Sequence, residues 1–381
     1  MQSTQPSPPT KVSIIRCPNY NEDKVLSALH ESIALIGGIN SIIKKGDSVL
    51  LKVNLLSASP PEAAVTTHPA IVSGMIDIVR EAGGIPIVGD SSGIAEAGVT
   101  IKACKVSGIM DVLEKKGVKF VNFETAGYRK FEHATIGKFY ISKAVLDADV
   151  VISLAKLKTH ELTVMTGAVK NFFGAVPASI RKESHANPDR DAFSDILVDI
   201  YEIVKPALGI MDAVVCMEGD GPARGTPKDV GVICASTNCA ALDAVCFKIA
   251  GFEYLDIPTT KMARRRNLVN LADIEILGER MEDVACIFRR NAFHPIWALP
   301  APVVGFLSRF FTIKPYITDA CVKCGVCAEH CPVDAISDDG EDRGVYVVDN
   351  QKCIQCYCCH ELCPHEAVEL RKSWIARMLS R

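Results

Sequence analysis

The chain has 381 residues, 48% of them apolar and 23% charged, enough to bury a sizeable core and to form more than one domain. A net charge of −3 argues against nucleic-acid binding, which needs a basic excess or stripe. The sixteen cysteines follow an N-terminus without the charged and apolar regions of a signal peptide, which points to a reducing, cytoplasmic compartment and against a disulfide framework.

Residues 1–10 form a polar Ser/Pro/Gln tail that is expected to be disordered. Strands are predicted at 11–16 and 48–53, with a helix over 22–36 behind an Asn21 cap. A helix over 68–82, capped by Thr66 or Thr67, leads to a strand at 85–88 that ends in Gly89-Asp90-Ser91-Ser92-Gly93. Downstream, helices are predicted over 103–116, 193–204 and 240–250, and strands at 118–123, 148–155, 208–215 and 230–235. Short apolar runs between amphipathic helices predict an α/β domain with a largely parallel sheet flanked by helices. In such a sheet ligands bind beyond the carboxyl ends of the strands.

That rule selects the candidate binding residues. Lys52 and Asn54 leave the second strand, and Asp90 and Ser91 leave the third. The densest polar segment runs from Lys156 through Lys158, His160 and Thr163 to Thr166, Lys170, Asn171 and Gly174. Lysines as point charges, with hydroxyls and backbone N–H groups, suit an anion. His160 and Lys170 are the candidate proton donors. The loop 217–225 adds Glu218 at the same edge. Its glycines do not make a dinucleotide fingerprint, since the spacing is one residue too long, Pro222 intervenes and a strand follows. No Walker A sequence occurs.

The seven scattered cysteines, Cys17, Cys104, Cys216, Cys234, Cys239, Cys246 and Cys286, read as buried apolar filler. Residues 261–315 form a connector between domains. In it Arg264, Arg265 and Arg266 open a solvated helix, and the apolar run 292–311 is broken by prolines and too short to span a membrane. The basic segment 373–381 docks on the protein.

Between them lies a duplicated run, Cys321-x-x-Cys324-x-x-Cys327-x-x-x-Cys331-Pro332 and Cys353-x-x-Cys356-x-x-Cys359-x-x-x-Cys363-Pro364. In this spacing three close thiolates hold one cubane and the fourth cysteine crosses to the other. Cys321, Cys324, Cys327 and Cys363 are therefore assigned to one [4Fe-4S] cluster, and Cys353, Cys356, Cys359 and Cys331 to a second. Zinc ribbons pair C-x-x-C units over a longer gap. Cys358 is an extra apolar filler, or a ligand if the register slips by one. Residues 316–372 resemble the bacterial two-cluster ferredoxins, a small α+β module.

The segments LLKVNLL, VGDSSG, LAKLKTHELTVMTGAVKNFFGAVP and MDAVVCMEGDGPARGTP resemble the prokaryotic family called domain of unknown function 362, over about residues 11–255. The resemblance implies the fold, the pairing with iron–sulfur clusters, and a shared polar site on Lys52, Asn54, Asp90, Lys158, His160, Lys170, Asn171 and Glu218. The expected protein is a cytoplasmic carrier of single electrons with two [4Fe-4S] clusters. They serve an anionic small molecule or a redox partner protein at the α/β domain. A ferredoxin-type reductase is one form of this. A non-redox enzyme or assembly factor with structural clusters is the alternative.

Overall fold

A computed structural model describes residues 9–93, 98–133, 137–185, 189–290, 313–331, 333–338, 344–354, 359–360, 363, 365 and 367–372. The polar tail up to residue 8, Pro332, Cys356, Cys358, Pro364, the apolar run 292–311 and the segment 373–381 lie outside them.

The first half alternates β1 (Thr10–Arg16), α1 (Glu22–Leu35), β2 (Ser48–Lys52), α2 (Pro69–Glu81) and β3 (Ile85–Asp90). Asn21 caps α1 by accepting from Lys24 N, as its sequence position predicts. The cap of α2 is His68, whose Nδ1 accepts from Ala70 N. Thr67 is instead spent on the sheet, accepting from Asn54 N and donating to Leu154 O. The single helix expected over 103–116 is two, α3 (Val99–Val106) and α4 (Ile109–Lys116). Gly108, at φ +73°, takes the left-handed conformation that ends the first.

The chain continues through β4 (Lys119–Asn122), the hairpin β5 (Tyr128–His133) and β6 (Gly137–Ser142), α5 (Lys143–Leu146), β7 (Val150–His160) and β8 (Val164–Thr166). Then come α6 (Ala168–Asn171), α7 (Ala178–His185), α8 (Arg190–Val204), β9 (Leu208–Glu218), β10 (Thr226–Ser236), α9 (Cys239–Ile249), α10 (Pro258–Arg265), β11 (Ile274–Gly278) and α11 (Met281–Val284). The small module contributes β12 (Ile313–Ile317), α12 (Val326–Glu329), β13 (Ile336–Asp338), β14 (Tyr346–Val348) and β15 (Val368–Lys372). The arginine run closes α10 rather than opening a helix, and Arg266 pairs with Asp195, Asp199 and Glu202 of α8.

Nine strands form the main sheet in the order β11-β1-β10-β9-β7-β2-β3-β4, with β8 paired to β7. Five pairings are parallel and three antiparallel, the latter being β1/β10, β9/β10 and β7/β8. Neighbouring residues of a strand serve opposite faces. Val49 and Leu51 join the core under α1 and α2, while Leu50 joins the one under α8. The sheet is thus covered by helices on both faces. Six of the seven scattered cysteines are buried, and Cys286 is partly exposed. No helix among the described residues is long and apolar enough to cross a membrane.

Candidate functional site

β7 sits at the middle of the sheet and is buried at every one of its 11 positions. The strand was expected to stop at Ala155. It runs on to His160, because β8 folds back to pair with Lys158, Thr159 and His160. Val150, Ile152, Leu154, Lys156, Lys158 and His160 therefore share one face by period-two alternation. The first three pack into the apolar core. The last three emerge beyond it as the floor of a cavity of about 100 Å³.

Each lysine on this floor is held by named partners. Lys156 Nζ donates to Asp212 Oδ2 at 2.9 Å and to Tyr20 OH at 2.8 Å. Tyr20 OH donates to Asp212 Oδ1 at 2.7 Å, and its ring stacks on His68 with centroids 3.5 Å apart. Burial, then the Asp212 charge, push the Tyr20 hydroxyl far above the ordinary phenol range. Lys158 Nζ donates to Asn54 Oδ1 at 2.8 Å and Val65 O at 2.6 Å.

One layer behind the cavity, Lys52 Nζ pairs with Asp90 Oδ1 at 2.7 Å, with both side chains almost fully buried. Burial lowers the Lys52 pKa and raises that of Asp90, while each partner's charge opposes the shift. Asp90 also accepts from Leu55 N and Ser91 N. Breaking a buried pair of this kind by removing one partner costs on the order of 3–5 kcal/mol. Asn171 ties this layer to the floor, accepting from Lys52 Nζ and donating to Lys52 O and Ser153 Oγ.

His160 Nδ1 accepts from the backbone N–H groups of Leu162 (3.0 Å) and Thr163 (3.3 Å), so the proton of the neutral ring sits on Nε2. Burial, then the positive charges of Lys170, His185, Lys158 and Arg190, hold its pKa well below the usual histidine value. His185, one turn past Arg181 on α7, is the opposite tautomer. Its Nδ1 lies 2.7 Å from the carbonyl of Arg181, to which it must donate. Burial brings His185 down to about 4.

Of the predicted binding residues, Asn54, Lys156, Lys158, His160, Lys170 and Asn171 line this one cavity. Lys52, Asp90 and Ser91 do not; they support it from behind, Ser91 Oγ donating to Gly174 O. Glu218 is not brought to it, since its Oε2 accepts from Arg289 N. Sequence reasoning missed Arg181 and His185, which also line the cavity. Their i, i+4 spacing in ASIRKESH was the available signal, because it puts both on one helix face.

A further wall comes from the small module. His330, between Cys327 and Cys331, lines the same cavity as Lys158 and Lys170. Arg224, in the glycine loop after β9, reaches the module as well, donating to Val368 O at 2.6 Å with its Nη1 3.0 Å from His360 Nδ1.

Within the module, Cys321, Cys324, Cys327 and Cys363 line one small cavity with Ile317, Val326 and Tyr346. Burial, then the neighbouring Cys363, Cys321 and Cys324 sulfurs, push the Cys327 thiol up to about 11. Four cysteines that converge on one cavity and favour the thiol while it holds no metal would give up their protons on binding iron, so these residues fit an iron–sulfur cluster. Backbone N–H groups already point at the sulfurs, from Lys323 to Cys321, Ala335 to Cys331 and Ala367 to Cys363. Cys331, Cys353 and Cys359 share the same small core.

Residues 320–367 match the profile of a 4Fe-4S dicluster domain, and residues 49–248 match a domain of unknown function, DUF362. A thylakoid-associated protein of Synechocystis sp. is 35% identical over 260 residues, covering 68% of this chain and 79% of that protein. Two solved structures are more distant. The lactate racemase apoprotein of Thermoanaerobacterium thermosaccharolyticum has a TM-score of 0.42 and 16% identity, over 63% of this chain and 57% of that one. A Thermotoga maritima protein has a TM-score of 0.38 and 13% identity, over 61% and 60%. The chain thus spans less than two thirds of either. It belongs to the family described as domain of unknown function 362, and it carries in addition a 4Fe-4S ferredoxin-type domain.

Proposed function

We propose that this is an iron–sulfur electron-transfer protein with two [4Fe-4S] clusters, which passes single electrons to an anionic small molecule held in the strand-end cavity. The small module that begins at β12 holds the clusters, and the α/β domain, whose sheet extends to β11 beyond the expected boundary at residue 260, holds the ligand. The observation that carries this reading is the position of His330, which lies between two of the cysteines assigned as cluster ligands and also lines the cavity with Lys158 and Lys170.

When bound, such clusters supply single electrons at a potential set by hydrogen bonds to sulfur, charge and burial. The chain's own groups do the rest. Four cationic side chains, Lys156, Lys158, Lys170 and Arg181, line the cavity, and among the described residues no carboxylate does. That field favours an anion and the further negative charge it gains on reduction. Lys170 supplies the accompanying proton. His160 remains neutral with its proton on Nε2, because its Nδ1 is already occupied by two backbone donors. This makes the protein a ferredoxin-type oxidoreductase, and we place it in the cytoplasm, where its thiols stay reduced.

Anaerobic iron and sulfide analysis with EPR of the dithionite-reduced protein is the first test. About eight irons per chain and two interacting centres are expected for two clusters. The Lys158→Ala/Lys170→Ala variant should keep its iron and show a more negative midpoint potential, because two positive charges next to the module are gone. Zinc in place of iron, a single cluster, or an unchanged potential would overturn the reading.

A further inference from the structure

Arg181 is the least explained charge in the cavity wall. It is 8% exposed, yet among the described residues its Nε and Nη2 have no hydrogen-bond partner. Nη1 donates to Ser92 O at 2.7 Å. Nε–H and the adjacent Nη2–H form one edge of the guanidinium, two parallel donors spaced to meet two oxygens of one planar group. A buried guanidinium left in this state loses hydration without a replacement, and such groups in native structures call for a missing partner.

The nearby acids do not fill the role. Glu124 contributes the largest attractive charge at Arg181, followed by Asp90, but among the described residues no carboxylate lies in an ion pair with Arg181. Asp90 is bound to Lys52, and neither Asp90 nor Glu124 lines the cavity. The space beside Arg181 is partly apolar, with Leu56, Phe173 and Ala178 in the same lining. This suits a short carbon chain.

We propose that the ligand is a carboxylate, with its two oxygens on the Nε/Nη2 edge of Arg181 and its carbon chain over Leu56 and Phe173. This rests on the reading of the cavity as the ligand site, and it names the chemical class the cavity takes. Arg181 is fixed in place by Ser92 before the ligand arrives, so the edge selects a planar oxyanion over a neutral isostere.

The test is saturation-transfer NMR on the full-length, iron-loaded protein, with acetate and acetamide as probes and inorganic phosphate as competitor. Acetate should give a saturable signal, acetamide none, and equimolar phosphate should not displace acetate. Arg181→Lys keeps the charge and loses the fork, and should weaken acetate at least tenfold with iron content and reduced EPR spectrum unchanged. Ala178→Leu, which fills the cavity from the preceding turn of α7, should also weaken it at least tenfold and leaves the guanidinium intact if the first variant does not fold. The proposal is overturned if acetamide binds as well as acetate, if phosphate binds more tightly, or if either folded variant binds acetate like the wild type. A failed electron relay with Arg181-dependent acetate binding would remove only the redox reading. Intact redox coupling with acetate indifferent to Arg181 would remove only this one.

Discussion

His160 and His185 line one cavity as opposite tautomers, because Nδ1 accepts from backbone N–H groups in the first and donates to a backbone carbonyl in the second. The cost of keeping His185 neutral has a definite sign. Its native pKa of about 4 lies below the ordinary 6.5, so between these values the unfolded chain binds a proton that the native state does not. Stability from this group is complete above about pH 6.5 and is lost as pH falls towards 4, by roughly 3 kcal/mol at most. Asp243, pushed up to about 7 by burial, contributes the opposite slope over the same range. The His185 share must therefore be read as a difference. Urea denaturation of wild type and His185→Gln from pH 7.5 to 4.5 should show the variant gaining on the wild type as pH falls, and a pH-independent difference would refute the assignment.

At the scale of elements, α6 is a single turn that carries Lys170 and Asn171, and a turn that short does not hold itself. Asp243 of α9 anchors it, accepting from Ala168 N at 2.6 Å and Val169 N at 3.0 Å. Gly167 makes room for this, since a Cβ there would sit 2.2 Å from Asp243 Oδ1. Gly167→Ala should therefore displace the start of α6, weaken acetate binding at least tenfold and lower stability by about 1–3 kcal/mol through the disturbed buried acceptor. Calorimetry together with the binding assay checks both.

The elements were largely legible in sequence wherever apolar periodicity was long, as in α1, β2 and α8. Polarity hid the end of β7, because lysine and histidine in alternation read as a loop until β8 and the cations' buried partners are seen. Asp243 and Asp212 were invisible for the same reason. Their partners lie 75 and 56 residues away in sequence, at Ala168 and Lys156, and no local pattern marks a contact of that range. The cysteine spacing, by contrast, is local, and it brings Cys321, Cys324 and Cys327 to one cavity with the distant Cys363.

For the whole molecule, the informative contact is between the sheet domain and the small module. Arg224 bridges them through Val368 O. Arg224→Ala should leave iron content intact and let the module move away from the cavity, seen as a larger radius of gyration in small-angle scattering. An unchanged radius would mean that other contacts suffice. Neither Arg224 nor His330 stood out in sequence, because the residues that join two domains need only suit each other.

The buried floor of β7 has an entropic consequence. A lysine at a surface carries about 2 kcal/mol of rotamer freedom that a ligand must remove when it recruits the ammonium. Lys156 and Lys158 have already lost it, each clamped by two partners within 3 Å. That loss belongs to folding, so an incoming anion meets immobile charges and gives up only its own freedom.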